Sequence, residues 1–520
     1  MICVLLTLFT LPTAAALAAV SARCRTARKA AFVSHSDSKQ FMDVPMEIME
    51  GELPSWLEGI YLRNGPGMFE VGDRRLEHWF DGYGLLTRVC FKSGSVPLIS
   101  TNFVDSSARQ AACRGKMQYA EFMTPLTAPG AGLLSALNAA FAIVTGDPTD
   151  NACVNVVCRT AGKTEVMTET QRSWFEIDPQ TLATLRRTPW AGDAVGQLST
   201  AHAQPDPRGG GWINVGTEIS PPFSSRYHIF RLDDQTPQER KRLASIPCSN
   251  PAAPCWMHSF GVTENAVVVL EQPATYSVGA MLGLAKASHG SIDWDESSGM
   301  RLHVLNRTSG SLRTHTLERP FFFFHIANAF DVEDGGVALD ICAFDDPEIV
   351  TALRLDRLKD DALVRDLPSS RLVRLTIPPP GQRTRSPTVE PLDDIVATGH
   401  FCDLPTISPR VRGAPFYRFV YGIGASRPAA VSNRLVKIDT RRAGGDAFYE
   451  VDGMLPGEPL FIARPGGEDE DDGICMSLAT DADGGTSLYI LDARTMTLVV
   501  RCRSPVAIPA GFHGEWVGAS

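Results

Sequence analysis

Leu488-Tyr489-Ile490-Leu491-Asp492-Ala493-Arg494-Thr495 contains the pattern that decides the fold: an apolar β-like run, an Asp at a turn, and polar turn residues behind it. The same phrase occurs in Trp174-Phe175-Glu176-Ile177-Asp178-Pro179-Gln180-Thr181 and in Ile229-Phe230-Arg231-Leu232-Asp233-Asp234. It occurs again in His303-Val304-Leu305-Asn306-Arg307-Thr308-Ser309-Gly310 and in Leu435-Val436-Lys437-Ile438-Asp439-Thr440. An Asp or Asn at that place accepts the backbone N–H two residues on and closes a tight hairpin. A single hairpin carries little weight. Recurrence every several tens of residues is what the outer strands of propeller blades look like, although β-sandwiches also repeat hairpins. Long alternation of strand and helix does not occur, which argues against a parallel-sheet fold. The reading is all-β.

The chain has 520 residues, 44% hydrophobic and 21% charged. That is enough apolar material for a large core, either as two to four domains or as one large propeller. The formal net charge of −10 comes with no basic stripe interleaved with aromatics, so a nucleic-acid partner is not indicated. Twelve cysteines are scattered without a Cys-x-x-Cys pair, several inside apolar runs such as Val89-Cys90-Phe91. They read as reduced core residues; Cys248 and Cys255 are close enough in sequence to raise a pairing that nothing else supports.

The first 40 residues read as a leader and residues 41–520 as one domain, with folded sequence expected from near Phe41. Ile2 to Val20 is an apolar run ending in small residues, like a signal peptide without its charged start. Arg23, Arg25, Arg28 and Lys29 follow, with no acid before Asp37, as in a plastid transit peptide. The two in series resemble the bipartite leader of algae with complex plastids; an ordinary secretory or endomembrane leader is the alternative. Gly130 to Val144 reads as an apolar helix, either buried in the core or in peripheral contact with a membrane. Glu468 to Asp472 reads as a solvated acidic loop.

Eleven histidines can each be weighed. His35 falls in the leader. His228, His303 and His315 read as surface residues, and His289 and His400 have no distinctive setting. His202, His258, His325 and His513 remain, three of them beside aromatics, as in Phe321-Phe322-Phe323-Phe324-His325 and Gly511-Phe512-His513-Gly514. A buried imidazole needs a hydrogen bond or a metal. On spacing alone each is a satisfied core residue. The inner strands of a propeller converge on one axis, however, so histidines far apart in sequence can meet there. Four neutral imidazoles suit iron, copper or zinc.

At this point the chain resembles the carotenoid cleavage oxygenase family, which includes apocarotenoid oxygenases and retinoid isomerases. The resemblance runs from about Pro54 to Val517. It rests on Leu57-Glu58-Gly59-Ile60-Tyr61-Leu62-Arg63-Asn64-Gly65-Pro66, on His78-Trp79-Phe80-Asp81-Gly82-Tyr83-Gly84, and on the contexts of the four histidines. It implies a seven-bladed β-propeller with a dome of helices and loops over a central iron site, the C-terminal strand closing the ring. It implies His202, His258, His325 and His513 as Fe(II) ligands, and gives His78 a structural role. Glu169 and Glu458 match carboxylates that hold ligand imidazoles, and Asp403 stands where the family carries Glu. Ala203 and Ser259 also depart from the family, which has Pro after the first ligand and Asp after the second. The implied reaction is addition of O2 across one double bond of a carotenoid or apocarotenoid, giving two carbonyl products. A retinoid or carotenoid isomerase, or a non-catalytic carotenoid-binding propeller, are the alternatives.

Overall fold

A computed structural model describes residues 25–518 apart from 37–39, 118–120, 126–148, 160–161, 171–173, 189–190, 193–195, 221–223, 237–238, 282–284, 361–362, 364–366, 383–385, 393–400, 426–428 and the single positions 430, 443 and 452. The proposed helix Gly130 to Val144 and His400 lie outside the described residues. Among these, no helix is long and apolar enough to cross a membrane.

The five turn residues make the hairpins their sequence predicts. Asp492 Oδ1 accepts from the backbone N–H groups of Arg494 (3.0 Å) and Thr495 (2.8 Å). Asp178, Asp233, Asn306 and Asp439 each accept from the N–H two residues on, at 2.8 to 3.2 Å. Each hairpin joins outer strands of one sheet, as Asp492 does for Thr486–Asp492 and Leu498–Arg503. Seven sheets of four to six strands follow one another along the chain and form a seven-bladed propeller. In the fourth blade the strand Ala266–Glu271 is buried throughout. Ala266, Val268 and Leu270 pack towards the fifth blade with Leu339 and Ile341. Val267 and Val269 pack towards the third, with Val215 and Ile229. A strand covered on both faces needs no polar alternation, which is why these runs read as continuously apolar.

The ring closes at both termini. The strand Gly514–Gly518 pairs with Gly59–Met68 of the first blade, and Glu47–Gly51 pairs with Leu498–Arg503 of the last. Short helices at Ser107–Cys113, Glu348–Ala352 and Leu355–Lys359, the turn Trp79–Asp81 and the ribbon Ala274–Tyr276 with Ile292–Trp294 lie outside the blades, and Trp79, Ile349 and Tyr276 from them line the central cavity. His78 caps the Trp79–Asp81 turn. Its Nδ1 accepts from the Phe80 N–H (3.1 Å), and its Nε2–H donates to the Val350 carbonyl (2.7 Å).

Several expectations change. Residues 25–36, assigned to the leader, pack on the propeller: a helix spans 25–31, Ala27, Ala31 and Phe32 are buried with Leu355 and Leu358, and Arg28 donates to the Leu358 carbonyl (2.6 Å). His35 is buried too, its N–H on the Gly67 carbonyl (2.6 Å). Arg28 is buried with the alanines through its bond to Leu358, while Arg25 and Lys29 stay exposed, a division that composition hides. His228 and His303 are also buried rather than at the surface. His228 sits between Glu218 and Ser245 (both 2.9 Å), and His303 between Glu271 (3.1 Å) and Thr314 (2.9 Å). Their polar neighbours are cross-strand partners, not solvent. The acidic loop is likewise engaged: Glu470 accepts from the Arg418 and Phe419 N–H groups, and Asp471 pairs with Lys437 (2.7 Å). Cys248 and Cys255 carry thiols and do not form a disulfide with each other.

Candidate metal centre and its cavity

The four singled-out histidines stand on the axis, each at the inner edge of a different blade. His202 lies between the short inner strands Leu198–Ser199 and Gln204–Pro205, and His258 just before Gly261–Val262. His513 immediately precedes Gly514–Gly518. His325 lies within Phe322–Asp331, where pairing to Val337–Phe344 slips between Phe323 and Ile326. Such an irregularity re-aims a side chain. The four phenylalanines that lead up to His325 alternate: Phe321 and Phe323 pack between blades, while Phe322 and Phe324 face the cavity cluster with Trp256.

One ring nitrogen from each histidine lies within 4.8 Å of the other three. His202 Nε2 is 3.1 Å from His258 Nε2, which is 3.4 Å from His325 Nε2. Metal–imidazole bonds of ~2.1 Å place neighbouring nitrogens ~3 Å apart and opposed ones ~4.2 Å apart in octahedral geometry. The spacing therefore fits one ion with four nitrogens around it. Burial first, then mutual repulsion from His513, His258 and His325, hold His202 well below the usual imidazole range. Burial likewise lowers His325, against the opposing pull of Asp403. Neutral imidazoles with lone pairs aimed at one point are what a cation requires.

Three of the four rings are oriented by a carboxylate on the far nitrogen. His258 Nδ1–H donates to Glu169 Oε1 (2.5 Å), His325 Nδ1–H to Asp403 Oδ1 (2.7 Å), and His513 Nδ1–H to Glu458 Oε1 (2.7 Å). Each bond fixes the tautomer that leaves Nε2 unprotonated. Asp403, though one methylene shorter than Glu, reaches its histidine directly; Leu404 beside it holds φ +48°. That left-handed conformation costs a non-glycine residue ~1–2 kcal/mol. Among the described residues His202 has no such carboxylate. Its backbone N–H bonds to Thr200 Oγ1 (3.2 Å). Ser259 donates to the Phe324 carbonyl (2.5 Å) and so ties the His258 loop to the strand that carries His325.

The site contains more than the sequence singled out. Trp256 Nε1–H donates to Glu169 Oε2 (2.6 Å), so both oxygens of that carboxylate are held. Arg63 is buried and donates to the Glu458 and Phe512 carbonyls (2.9 and 2.8 Å). Asn64 exchanges backbone bonds with His513 O and the Phe512 N–H (2.9 and 2.8 Å). A Cβ at Gly65 would lie 2.3 Å from Gly511 Cα. The Arg63-Asn64-Gly65 stretch of the N-terminal block is thus the seat of the His513 segment. Above the histidines lies a mainly apolar cavity walled by Trp79, Phe80, Trp256, Phe324, Phe344 and Phe512. Two acids, Asp81 and Glu121, also stand on its wall. Asp81 lies in the quoted His78-Trp79-Phe80-Asp81-Gly82 motif, and a single acid before Phe122-Met123 was the only sign of Glu121.

The family model for Retinal pigment epithelial membrane protein matches residues 35–518. A rice (Oryza sativa subsp. japonica) protein named carotenoid cleavage dioxygenase 8 homolog A, chloroplastic, is 34% identical over 491 residues, covering 92% of this chain and 85% of its own length. The rat (Rattus norvegicus) beta,beta-carotene 15,15'-dioxygenase is 28% identical over 528 residues, covering 92% and 90%. Among solved structures, that of the cobalt-substituted Synechocystis ACO superposes with a TM-score of 0.78 at 25% identity, over 96% of this chain and 99% of that one.

Proposed function

We infer the reaction from one premise: the chain belongs to the carotenoid cleavage oxygenase family, that of the Retinal pigment epithelial membrane protein, and is a carotenoid oxygenase. The reading is an Fe(II)-dependent dioxygenase that cleaves one conjugated C=C bond of a carotenoid or apocarotenoid with O2, giving two carbonyl products. The observation that carries it is the convergence of four buried imidazoles at an apolar, aromatic-walled cavity. His202, His258, His325 and His513 would hold the iron, and Glu169, Glu458 and Asp403 would hold three of the rings. When bound, the iron supplies activation of O2. Both oxygen atoms enter the products and no proton is consumed, so the protein's own task is position. The aromatic walls hold a rigid polyene by its faces and exclude water. The carboxylates keep Nδ1 protonated and Nε2 bare.

A polyene is stored in membranes, and the apolar stretch Gly130 to Val144 is the proposed peripheral contact with them. It leaves and rejoins the described chain near Phe122 and Thr149, both on the cavity wall. The relatives named chloroplastic support a plastid location, with leader cleavage ahead of residue 25 so that Phe32 stays on the cavity wall. The test is reconstitution of the purified chain with Fe(II), with carotenoids and apocarotenoids offered in detergent under air. Polyene bleaching with a pair of carbonyl products supports the reading. A product of unchanged mass would favour isomerisation, and stable pigment without turnover would favour a binding protein; either overturns it.

A further inference from the structure

A dioxygenase reaction uses no acid or base, yet besides Glu169 and Asp403, which hold histidines, two more carboxyl groups stand on the wall of this mainly apolar cavity. Asp81 and Glu121 are 1% and 3% exposed. Neither is paired with a cation among the described residues. The titratable groups facing Glu121 are Asp81, Asp150, Tyr83 and Cys153, all acids or weak acids. Burial pushes Asp81 up to about 7 against the pull of its hydrogen bonds, and burial, then the Asp81 and Asp150 carboxyls, hold Glu121 well above the usual carboxylate range. Two carboxylates in such a place cannot both ionise. The hydrogen bonds decide which keeps the proton. Asp81 accepts from the Met123 N–H (3.0 Å) and the Thr124 hydroxyl (2.6 Å), a set that favours its anion. Glu121 accepts from the Thr149 hydroxyl at 3.2 Å and from the Asn151 amide. The proton therefore sits on Glu121, as an O–H donor on the cavity wall.

We propose that Glu121 is a specificity-determining residue, whose carboxylic acid donates a hydrogen bond to a carbonyl or hydroxyl oxygen carried by the bound polyene. The inference rests on the carotenoid oxygenase reading for the nature of the occupant. An apolar cavity discriminates weakly between hydrocarbons, whereas a buried donor left unpaired penalises an occupant without an oxygen.

The test uses the full chain loaded with Fe(II), held without oxygen so that nothing turns over. Wild type, Glu121→Gln and Glu121→Met are titrated with an apocarotenal and with β-carotene, and Kd and absorption spectra are recorded. A hydrogen bond to a carbonyl conjugated with the polyene moves its band to the red. Wild type is expected to show that shift with the aldehyde. Glu121→Met is expected to abolish it and raise the aldehyde Kd about tenfold, the worth of one such bond. Glu121→Gln, still a donor, should keep part of the shift. The β-carotene Kd and iron content should stay unchanged in all three. An unaltered aldehyde spectrum in Glu121→Met overturns the proposal, as does equal weakening of both ligands. If Glu121→Met does not fold, a Glu121→Gln spectrum identical to wild type overturns it instead. Oxygen is admitted afterwards. Failure of wild type to bleach either pigment would sink the dioxygenase reading while the anaerobic spectra still judge Glu121.

Discussion

The shortened partner of His325 is the place where a small change has a calculable effect. Asp403 accepts the His325 Nδ1–H at 2.7 Å, and both side chains are largely buried. Asp403→Asn keeps the shape and an acceptor oxygen but removes the charge. A hydrogen bond to a charged group contributes ~1.5–3 kcal/mol and a neutral one ~0.5–1.5 kcal/mol. The difference, ~1–1.5 kcal/mol, corresponds to about a five- to tenfold loss of iron affinity. Asp403→Ala goes further, because it leaves a buried N–H without a partner and frees the ring to rotate; loss of such a partner costs about 10–100-fold in metal affinity or activity. The assay is competitive Fe(II) titration of the metal-free chain against a chelator, with polyene cleavage measured at saturating iron. The expected order is wild type, then Asp403→Asn, then Asp403→Ala. Equal iron affinity in wild type and Asp403→Ala would refute the assignment of Asp403 as the group that orients His325.

Three further outcomes are expected. His325→Ala purifies without iron, whereas His78→Ala retains it, since the two ring nitrogens of His78 bond Val350 and Phe80; equal iron content in the two, by metal analysis, would contradict the ligand set. Burial lowers the His78 imidazole to about 4, below its unfolded value of 6.5. The unfolded chain then binds the extra proton between those values, so the His78 contribution is complete above pH 6.5 and is lost as pH falls towards 4. Asp81, raised to about 7, acts in the opposite direction, so the comparison must be between wild type and His78→Gln. The stability difference between them, from urea unfolding, should shrink by about 3 kcal/mol from pH 7 to pH 4. Finally, a chain starting at residue 25 should melt like the full chain, while one starting at residue 37 should lose several kcal/mol through the burial of Ala27, Ala31 and Phe32. Identical melting curves would mean that this helix is not part of the folded body.

How much of this was legible in the sequence depended on how local the cause was. The hairpin turns at Asp178, Asp233, Asn306, Asp439 and Asp492 are set by a side chain and the N–H two residues on, and so they could be read directly. The propeller and the family were legible because the turns recur and because the blocks around Arg63, His78 and the four histidines are specific. Where partners come from distant strands, reading failed. His228 and His303 have polar neighbours in sequence and looked exposed, but Glu218 and Glu271 reach them across the sheet. The 25–31 helix looked like a targeting segment because its charges are conspicuous and its alanine face is not.

The sequence by itself determined the all-β class, the hairpin rhythm and four histidines to watch, His202, His258, His325 and His513; the family resemblance added Glu169, Asp403 and Glu458. Only the tertiary structure decided that four nitrogens from four blades lie within 4.8 Å, and that Asp403 spans the gap a Glu was expected to fill. It also set Glu121 beside Asp81 on the cavity wall. The physical reason is distance along the chain. A turn is closed by neighbours, but convergence on an axis and the loss of water around a carboxyl group exist only once the blades have packed into a ring.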